Sequence, residues 1–493
     1  NAEIVNCAEW DFQQLVRADR QRVGVQPPDF NLWRQVPADM DFKTRSLSIG
    51  AFTTATLAYK QFAYLVVGGR NSWTSTLEAA NRSVFYPNIS GSFIATEALD
   101  FLRNKKNVNY LKLRLGYSTA ASFPGPYSTR SALSISTRNF VTSSGAVVNT
   151  NSIPNFLPNP NLKPELMAET ETGIEGKFFQ SRLSADITLY QRVSNDQILN
   201  RDLDPSTGYT SQQINAGKVT NKGIEAQLAY KIIRNKDWVW EVTGNWTINN
   251  SMVSDIPSDL KEIVYAGYTT LGNFAINGQP LGIMKGYYYQ RHENGQLLVG
   301  AGGDYIASTT IGIIGNPNPD YRLSGINSLT YKSFTFRFQV DYTHGGDMYS
   351  STARSLLARG VTKDTEFDRA APYILPGVTA DGKPNNIQIS ATQGYFNNVF
   401  GPDQGGIFDA TVVRLRDMSL SYALPEKLLN KTPFGSVSIT ANGSNLWYYA
   451  PNFPKYMNFD PETNGLGVGN GRGLEFITGP SARRMGLSVR ITF

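Results

Sequence analysis

The sequence predicts an all-β fold, a transmembrane antiparallel meander β-barrel, and three observations in its 493 residues carry that prediction. Segments of ten or so residues alternate apolar and polar side chains, the period-two pattern of strands with two unlike faces. No stretch reaches the roughly 18 consecutive apolar residues that a membrane helix needs. The connections between alternating segments are short and long in turn, the habit of outer-membrane barrels with short periplasmic turns and long external loops.

Composition narrows the function. Hydrophobic residues make up 41%, aromatic 12% and charged 17%, too aromatic for a disordered chain. One cysteine, Cys7, and two histidines, His292 and His344, cannot build a Cys/His zinc site or a disulfide framework. No metal or cofactor is expected, and catalysis is disfavoured. The net charge of +6 is spread along the chain, with RNKKN at 103–107 as its densest basic cluster, so nucleic acid is not expected as a partner.

Strands are expected near 47–58, 61–71, 84–96, 107–119 and 169–179. In the next, 181–194, Leu183, Ala185, Ile187 and Leu189 share one face while Ser184, Asp186 and Thr188 share the other. After 218–231, the strand 237–250 sets Trp238, Trp240, Val242, Trp246 and Ile248 against Glu241, Thr243, Asn245 and Thr247. After 321–332, the strand 334–347 opposes Phe334, Phe336, Phe338, Val340 and Tyr342 to Thr335, Arg337, Gln339 and Asp341. In 410–423, Val413 and Leu415 share a face but Met418, Leu420 and Tyr422 have the opposite parity. A β-bulge near Arg416 and Asp417 restores the phase. Strands 435–449 and 483–493 complete about thirteen, the last placing Met485, Leu487, Val489, Ile491 and Phe493 opposite Ser488, Arg490 and Thr492.

Charges in mid-strand decide between a soluble sandwich and a barrel. A sandwich would bury those charges at several kcal/mol each, whereas a barrel turns its apolar face to outer-membrane lipid and its charges to the lumen. Counting back from Phe493 with its end periplasmic makes 1–46 an external loop region and 47–493 the C-terminal part of the barrel. An odd number of strands is then expected upstream.

Seven segments in one order resemble the SusC/RagA type of TonB-dependent outer-membrane transporter of Bacteroidetes: GRNSWTSTL (69–77), NPNLKPE (159–165), NAGKVTNKGIEAQLAY (215–230), VVRLRDMSLSYALPEKLL (412–429), NGSNLWYYAPN (442–452), DPETN (460–464) and the closing SVRITF. The resemblance runs from about residue 60 to the end; residues 1–59 carry no matching motif. It implies a 22-stranded barrel, an N-terminal plug, TonB contact through a region outside these residues, and a SusD-like surface lipoprotein as lid. The implied function is import of oligosaccharides or oligopeptides, the alternative being a scaffold subunit of another outer-membrane complex.

Candidate functional residues follow from the faces. Lys112, Arg114, Glu169, Glu171, Asp186, Glu241, Arg337, Asp341 and Arg490 are expected in the lumen, as a surface passed by cargo or as a static ionic network. Glu169 and Glu171 could pair for acid/base work, although such pairs are common without chemistry. Tyr265, Tyr268, Tyr287, Tyr288, Trp447 and Tyr448 are expected in external loops, as contacts to substrate or partner or as an interfacial belt. Phe493, a terminal aromatic on an alternating strand, resembles the signal read by the barrel-assembly machinery and also suits an interfacial anchor. GLGVGNGRG at 465–473 lacks the strand and helix that a phosphate cradle requires, and reads as a flexible external loop.

Overall fold

The computed structural model describes residues 3–5, 13–22, 41–102, 106–131, 134–135, 140–148, 151–392, 396, 398–467, 469 and 471–493. Cys7 and residues 103–105 of the basic cluster lie outside them. The strands begin with β1 (Glu3–Val5), β2 (Gln13–Arg22), β3 (Asp41–Tyr59), β4 (Ala63–Thr74), β5 (Ser83–Ile94), β6 (Val108–Ser122), β7 (Glu165–Phe178), β8 (Leu183–Asn195), β9 (Lys218–Arg234) and β10 (Trp238–Ser254). Four short strands follow in one long connection: β11 (Glu262–Gly267), β12 (Gly272–Ile276), β13 (Ile283–Tyr289) and β14 (Ala307–Gly315). Then come β15 (Tyr321–Tyr331), β16 (Phe334–His344), β17 (Asp347–Ser350), helix α1 (Ser351–Ala358), β18 (Ile407–Asp409), β19 (Val412–Ala423), β20 (Ser436–Tyr449), β21 (Leu474–Glu475) and β22 (Arg484–Thr492).

The long strands form one sheet in the order β1-β3-β4-β5-β6-β7-β8-β9-β10-β15-β16-β19-β20-β22, with β2 also on β3. Thirteen of these, from β3 to β22, overlie the expected segments. Their connections alternate as expected: 332–333 between β15 and β16, then 345–411 before β19, then 424–435, then 450–483. Residues 1–46 were expected as loop. Of these, Glu3–Val5 and Gln13–Arg22 instead pair antiparallel with β3, which itself starts at Asp41. Much of the rest of that stretch lies outside the described residues.

Two compact units divide the chain, 1–93 with 114–171 and 192–218, and 94–113 with 172–191 and 219–493. In the first, β3 pairs with β4 and β4 with β5, so that Leu57, Leu65, Val67 and Ile89 fall on one exposed face. In the second, antiparallel register carries the faces from β10 to β22. Trp238 faces Tyr331, Trp240 faces Leu329 and Trp246 faces Leu323. Phe336 faces Leu329 on one side and Leu420 on the other, and Ile439 stands between Tyr422 and Val489. Asn327 interrupts this apolar face between Val242 and Phe338. The opposite face joins Glu241, Ser328, Arg337 and Ser419, then Ser438 and Arg490.

The apolar face is open to the surroundings, with Leu420 49% and Leu487 73% exposed. Aromatic rings rim it at both ends. Trp238 lies 4.2 Å from Tyr331 and Phe334 lies 4.5 Å from Tyr422 at the turn end, while Tyr321 and Tyr342 stand 6.1 Å apart at the long-loop end. Such girdles flank the lipid-facing band of a membrane barrel.

The bulge falls where the parity change places it. Gln339 pairs with Asp417 and Val340 with Leu415, leaving Arg416 without a partner across the ladder. On the other side Leu415 pairs with Trp447 and Asp417 with Ser444; Asn445 takes up the mismatch with a left-handed φ of 53°. The extra residue keeps Leu415 and Met418 on the apolar face and sends Arg414 and Arg416 to the polar one.

Face identity sets the first prediction. In the full-length protein folded into phospholipid bilayers, Phe338→Lys is expected to cost about 2 to 4 kcal/mol, the range for a cation near the midplane on the lipid side. Gln339→Lys, one residue along, is expected to be tolerated. Denaturant titration of both variants checks this, and equal costs would reverse the face assignment.

Candidate functional site

The polar face runs at its long-loop end into a cavity of about 610 Å³ in the second unit. Its walls include Arg322 from β15, Asp341 from β16 and Arg416 from the bulge, with Asp347 at the start of β17. Glu462 and Arg472 reach it from the 450–483 connection.

Charge pairing organises one wall. Arg416 donates from Nε to Asp341 Oδ2 at 2.6 Å, and its two terminal nitrogens donate to Glu462 at 2.8 and 2.6 Å. Asp341 also accepts from Ser324 Oγ and Gln339 Nε2, each at 2.8 Å. Beneath lies a second ion pair, Arg414 to Asp460, with the side chains 2% and 4% exposed. Arg414 also donates to Asn445 Oδ1, and its guanidinium stands 5.3 Å from the Tyr448 ring. Burial pushes the Asp460 carboxyl up, but the Arg414 guanidinium together with hydrogen bonds from Ser481 and the Glu462 N–H outweighs this and holds it below the usual carboxylate range. The bulge therefore aims two arginines at the DPETN segment and ties that connection to the sheet.

The connections at this end are folded, with a core of their own. Strands β11 to β14 form an antiparallel sheet, and β17 lies between β18, antiparallel, and β21, parallel. Leu271, Met284, Ile314, Tyr349 and Leu474, drawn from three different connections, pack in one buried cluster. A second joins Met348, Ala353 and Val412 to Ala450 and Phe453. Glu475 is fully buried and accepts from Ser350 Oγ at 2.8 Å, Thr352 N–H at 3.0 Å and Thr352 Oγ1 at 2.7 Å, closing the first turn of α1. Thr478 N–H adds a bond at 2.6 Å. Burial pushes the Glu475 carboxyl up, yet these bonds dominate and hold it below its usual value of 4.5.

The residues singled out in the sequence separate into groups. On the polar face, Glu169 accepts from Arg192 at 2.6 Å, and Glu171 packs where a Cβ on Gly116 would meet it. Glu241 stands 3.7 Å from Lys231, and Asp341 belongs to the cavity wall. Arg337 and Arg490 sit opposite serines, Ser328 and Ser438. Lys112, Arg114 and Asp186 alternate with the exposed Leu113, Leu115 and Ile187, which puts them on the polar side. Of the two, Glu169 is paired with Arg192.

The aromatic candidates divide as well. Tyr268 and Tyr287 are exposed, and Tyr268 meets Phe476 edge to face at 5.5 Å. Tyr265 is half-buried, with burial pushing its hydroxyl pKa up to about 12, and Tyr288 packs against the loop core. Trp447 lies on the apolar face beside Leu415, while Tyr448 points inward under Arg414. Phe493 is 89% exposed and contacts Phe434 at 5.6 Å. In 465–473, expected to be flexible, Arg472 is pinned: its N–H donates to Asn273 Oδ1 and its carbonyl accepts from Asn273 Nδ2, both at 3.0 Å. Gly473 beside it has φ 66°, and a Cβ there would meet the Asp347 carbonyl at 2.7 Å.

The sequence matches the family described as TonB dependent receptor-like, beta-barrel, over residues 6–446. The chain belongs to that family. It is an outer-membrane β-barrel chain, and it is similar to proteins of the SusC/RagA type. TonB-dependent receptor P26 of Formosa agariphila is 26% identical over 466 residues, covering 88% of this chain and 45% of the relative. TonB-dependent receptor SusC of Bacteroides thetaiotaomicron is 26% identical over 196 residues, 37% of this chain and 20% of SusC. The fold of the RagAB peptide transporter superposes with a TM-score of 0.71 at 19% identity, covering 94% of this chain and 49% of that one. The chain thus spans less than half the length of these relatives.

Two predictions follow from the ionic contacts. Arg414→Ala in the full-length protein strands a buried carboxylate and is expected to cost about 3 to 5 kcal/mol. Lys231→Ala, at a solvated pair, is expected to cost less than about 1 kcal/mol by the same denaturant titration. Glu475 sets a pH response. A carboxyl whose folded pKa is depressed stabilises fully above its unfolded value and loses that contribution as pH falls through the folded one. Protease cleavage within 450–482 is therefore expected to accelerate below about pH 4.5, the unfolded carboxyl value. Glu475→Gln is expected to cleave faster at pH 7 and to respond less to acid.

Proposed function

We propose that this chain is the C-terminal barrel portion of an importer that takes up oligosaccharides or oligopeptides across the outer membrane. TonB drives it from a region outside these residues, and a SusD-like lipoprotein covers the long-loop end. One observation carries the reading: a polar face walled by paired charges leads into a large cavity at the end where the long connections fold together. Lipid on one side and a hydrated passage on the other is the arrangement that transport needs.

The candidate residues take roles within this reading. Tyr268 and Tyr287, exposed on the folded loops, contact cargo or lid, while Tyr265 and Tyr288 hold those loops in shape. Trp447 anchors at the lipid interface, Tyr448 braces Arg414, and Phe493 serves the assembly machinery. The ionic residues of the lumen keep the wall rigid as cargo passes.

The test is uptake. Deleting the full-length gene is expected to abolish entry of labelled oligosaccharides or oligopeptides that the parent strain takes up, and loss of TonB is expected to do the same. Unchanged uptake of both cargo types, together with loss of another outer-membrane complex, would instead favour the scaffold role.

A further inference from the structure

Beside the large cavity lies a recess of about 70 Å³ that shares Pro319, Arg322 and Arg472 with it. Its other walls include Thr247 and Asn249 from β10 and Asn318 from the segment before β15, and no carboxylate lines it. Register places Thr247 directly opposite Arg322 on the polar face.

The two asparagine amides of the recess are engaged. Asn249 accepts from Tyr190 at 2.9 Å and donates to Asn221 at 3.3 Å, and Asn318 donates to Leu281 O and Asn316 Oδ1 at 2.9 and 2.8 Å. The carboxylates of the larger cavity are engaged too: Asp341 and Glu462 by Arg416, and Asp347 by the Asn316 N–H at 2.7 Å. Neither Arg322 nor Arg472 forms an ion pair among the described residues. Their guanidinium forks are therefore the donors left unmatched, in a walled recess where the Asn273 bonds fix the backbone of Arg472.

We infer that this recess binds a carboxylate of the imported cargo, gripped by Arg322 and Arg472. Guanidinium and carboxylate match as planar forks with two parallel hydrogen bonds. Because the recess shares Pro319, Arg322 and Arg472 with the larger cavity, a carboxylate held there can stay joined to a larger molecule. The rest of the cargo would then lie in the larger cavity against Thr343, Ala410 and Thr463. A peptide C-terminus and a uronic-acid residue both supply such a carboxylate.

This inference rests on the import reading, and the experiment separates the two. Full-length protein purified from outer membranes is titrated calorimetrically with tripeptides bearing a free C-terminus and with their C-terminal amides. A second arm compares trigalacturonate with trigalactose. One acidic member is expected to bind about tenfold or more tightly than its neutral twin, a gap of about 1.4 kcal/mol that shrinks with added salt. Whichever arm shows the gap identifies the source of the carboxylate. The pair Arg322→Gln and Arg472→Gln is expected to erase the gap, bringing the acidic ligand down to its neutral twin, and an unchanged circular-dichroism spectrum reports that the variant is folded. Arg322→Lys with Arg472→Lys is expected to retain part of it. Equal binding of acidic and neutral twins, or a gap that survives the glutamine pair, overturns the carboxylate site and leaves import standing. Binding of none of the four ligand types overturns both.

Discussion

Lipid offers no partner to a backbone amide, so each strand in a membrane must satisfy its hydrogen bonds on its neighbours. That constraint forces side chains to alternate between oil and water, and a slip of one residue would exchange every one of them. Registers from β10 to β22 hold the phase across six strands. Where the sequence breaks parity, one unpaired residue at Arg416 absorbs it. Without the bulge, either Val413 and Leu415 would turn inward and the arginines flanking them would face acyl chains, at about 2 to 4 kcal/mol for each cation near the midplane, or Met418, Leu420 and Tyr422 would turn inward.

The bulge also explains where the second unit is ionically strongest. An extra residue in a strand twists it and re-aims its side chains. Here it gathers Arg414 and Arg416 at one level, opposite Asp341 and within reach of Asp460 and Glu462. A buried ion pair is weak evidence of net stability, because desolvation offsets much of the attraction. Its contribution is positional: the 450–483 connection has one register on the sheet, since any shift would leave Arg414 or Asp460 buried without its counterion. Glu475 acts similarly on α1, joining two connections through three donors from Ser350 and Thr352.

The barrel strands were legible because period two is local: each strand states its own faces within ten residues. The loop architecture was not, because its core draws Leu271, Met284, Tyr349 and Leu474 from connections about 200 residues apart in sequence, and no local period marks them. Some signals went unused. Asn277-Gly278 sits in the turn between β12 and β13, and Asn294-Gly295 in a tighter turn beyond β13, both being dipeptides that favour left-handed turns. Aromatic residues in loops read as contact surface, yet Tyr265 is half-buried and Tyr288 packs against the loop core. Tyrosine is amphipathic, and exposure cannot be told from sequence when the burying partner comes from another loop. Pairing of Arg414 with Asp460 had no signal either, the two lying 46 residues apart on different elements.

Outward and inward faces are thus under unequal constraint. The outward face answers to lipid, which is chemically uniform and requires only apolar bulk with aromatic rims. At the inward face each charge is settled one contact at a time, so an arginine that meets no carboxylate among the described residues keeps its donors for something else. Rigid walls raise the value of that surplus: Thr247 and Asn249 stand on a paired strand, Arg322 on its neighbour, and Arg472 on a backbone held by Asn273 and seated beside a glycine that admits no Cβ. A cation held in place loses less entropy on binding than one on a free loop. An anion site of this kind would need few residues, placed where barrel strands and folded loops meet, and those residues could change without disturbing the alternation that suits the sheet to the membrane.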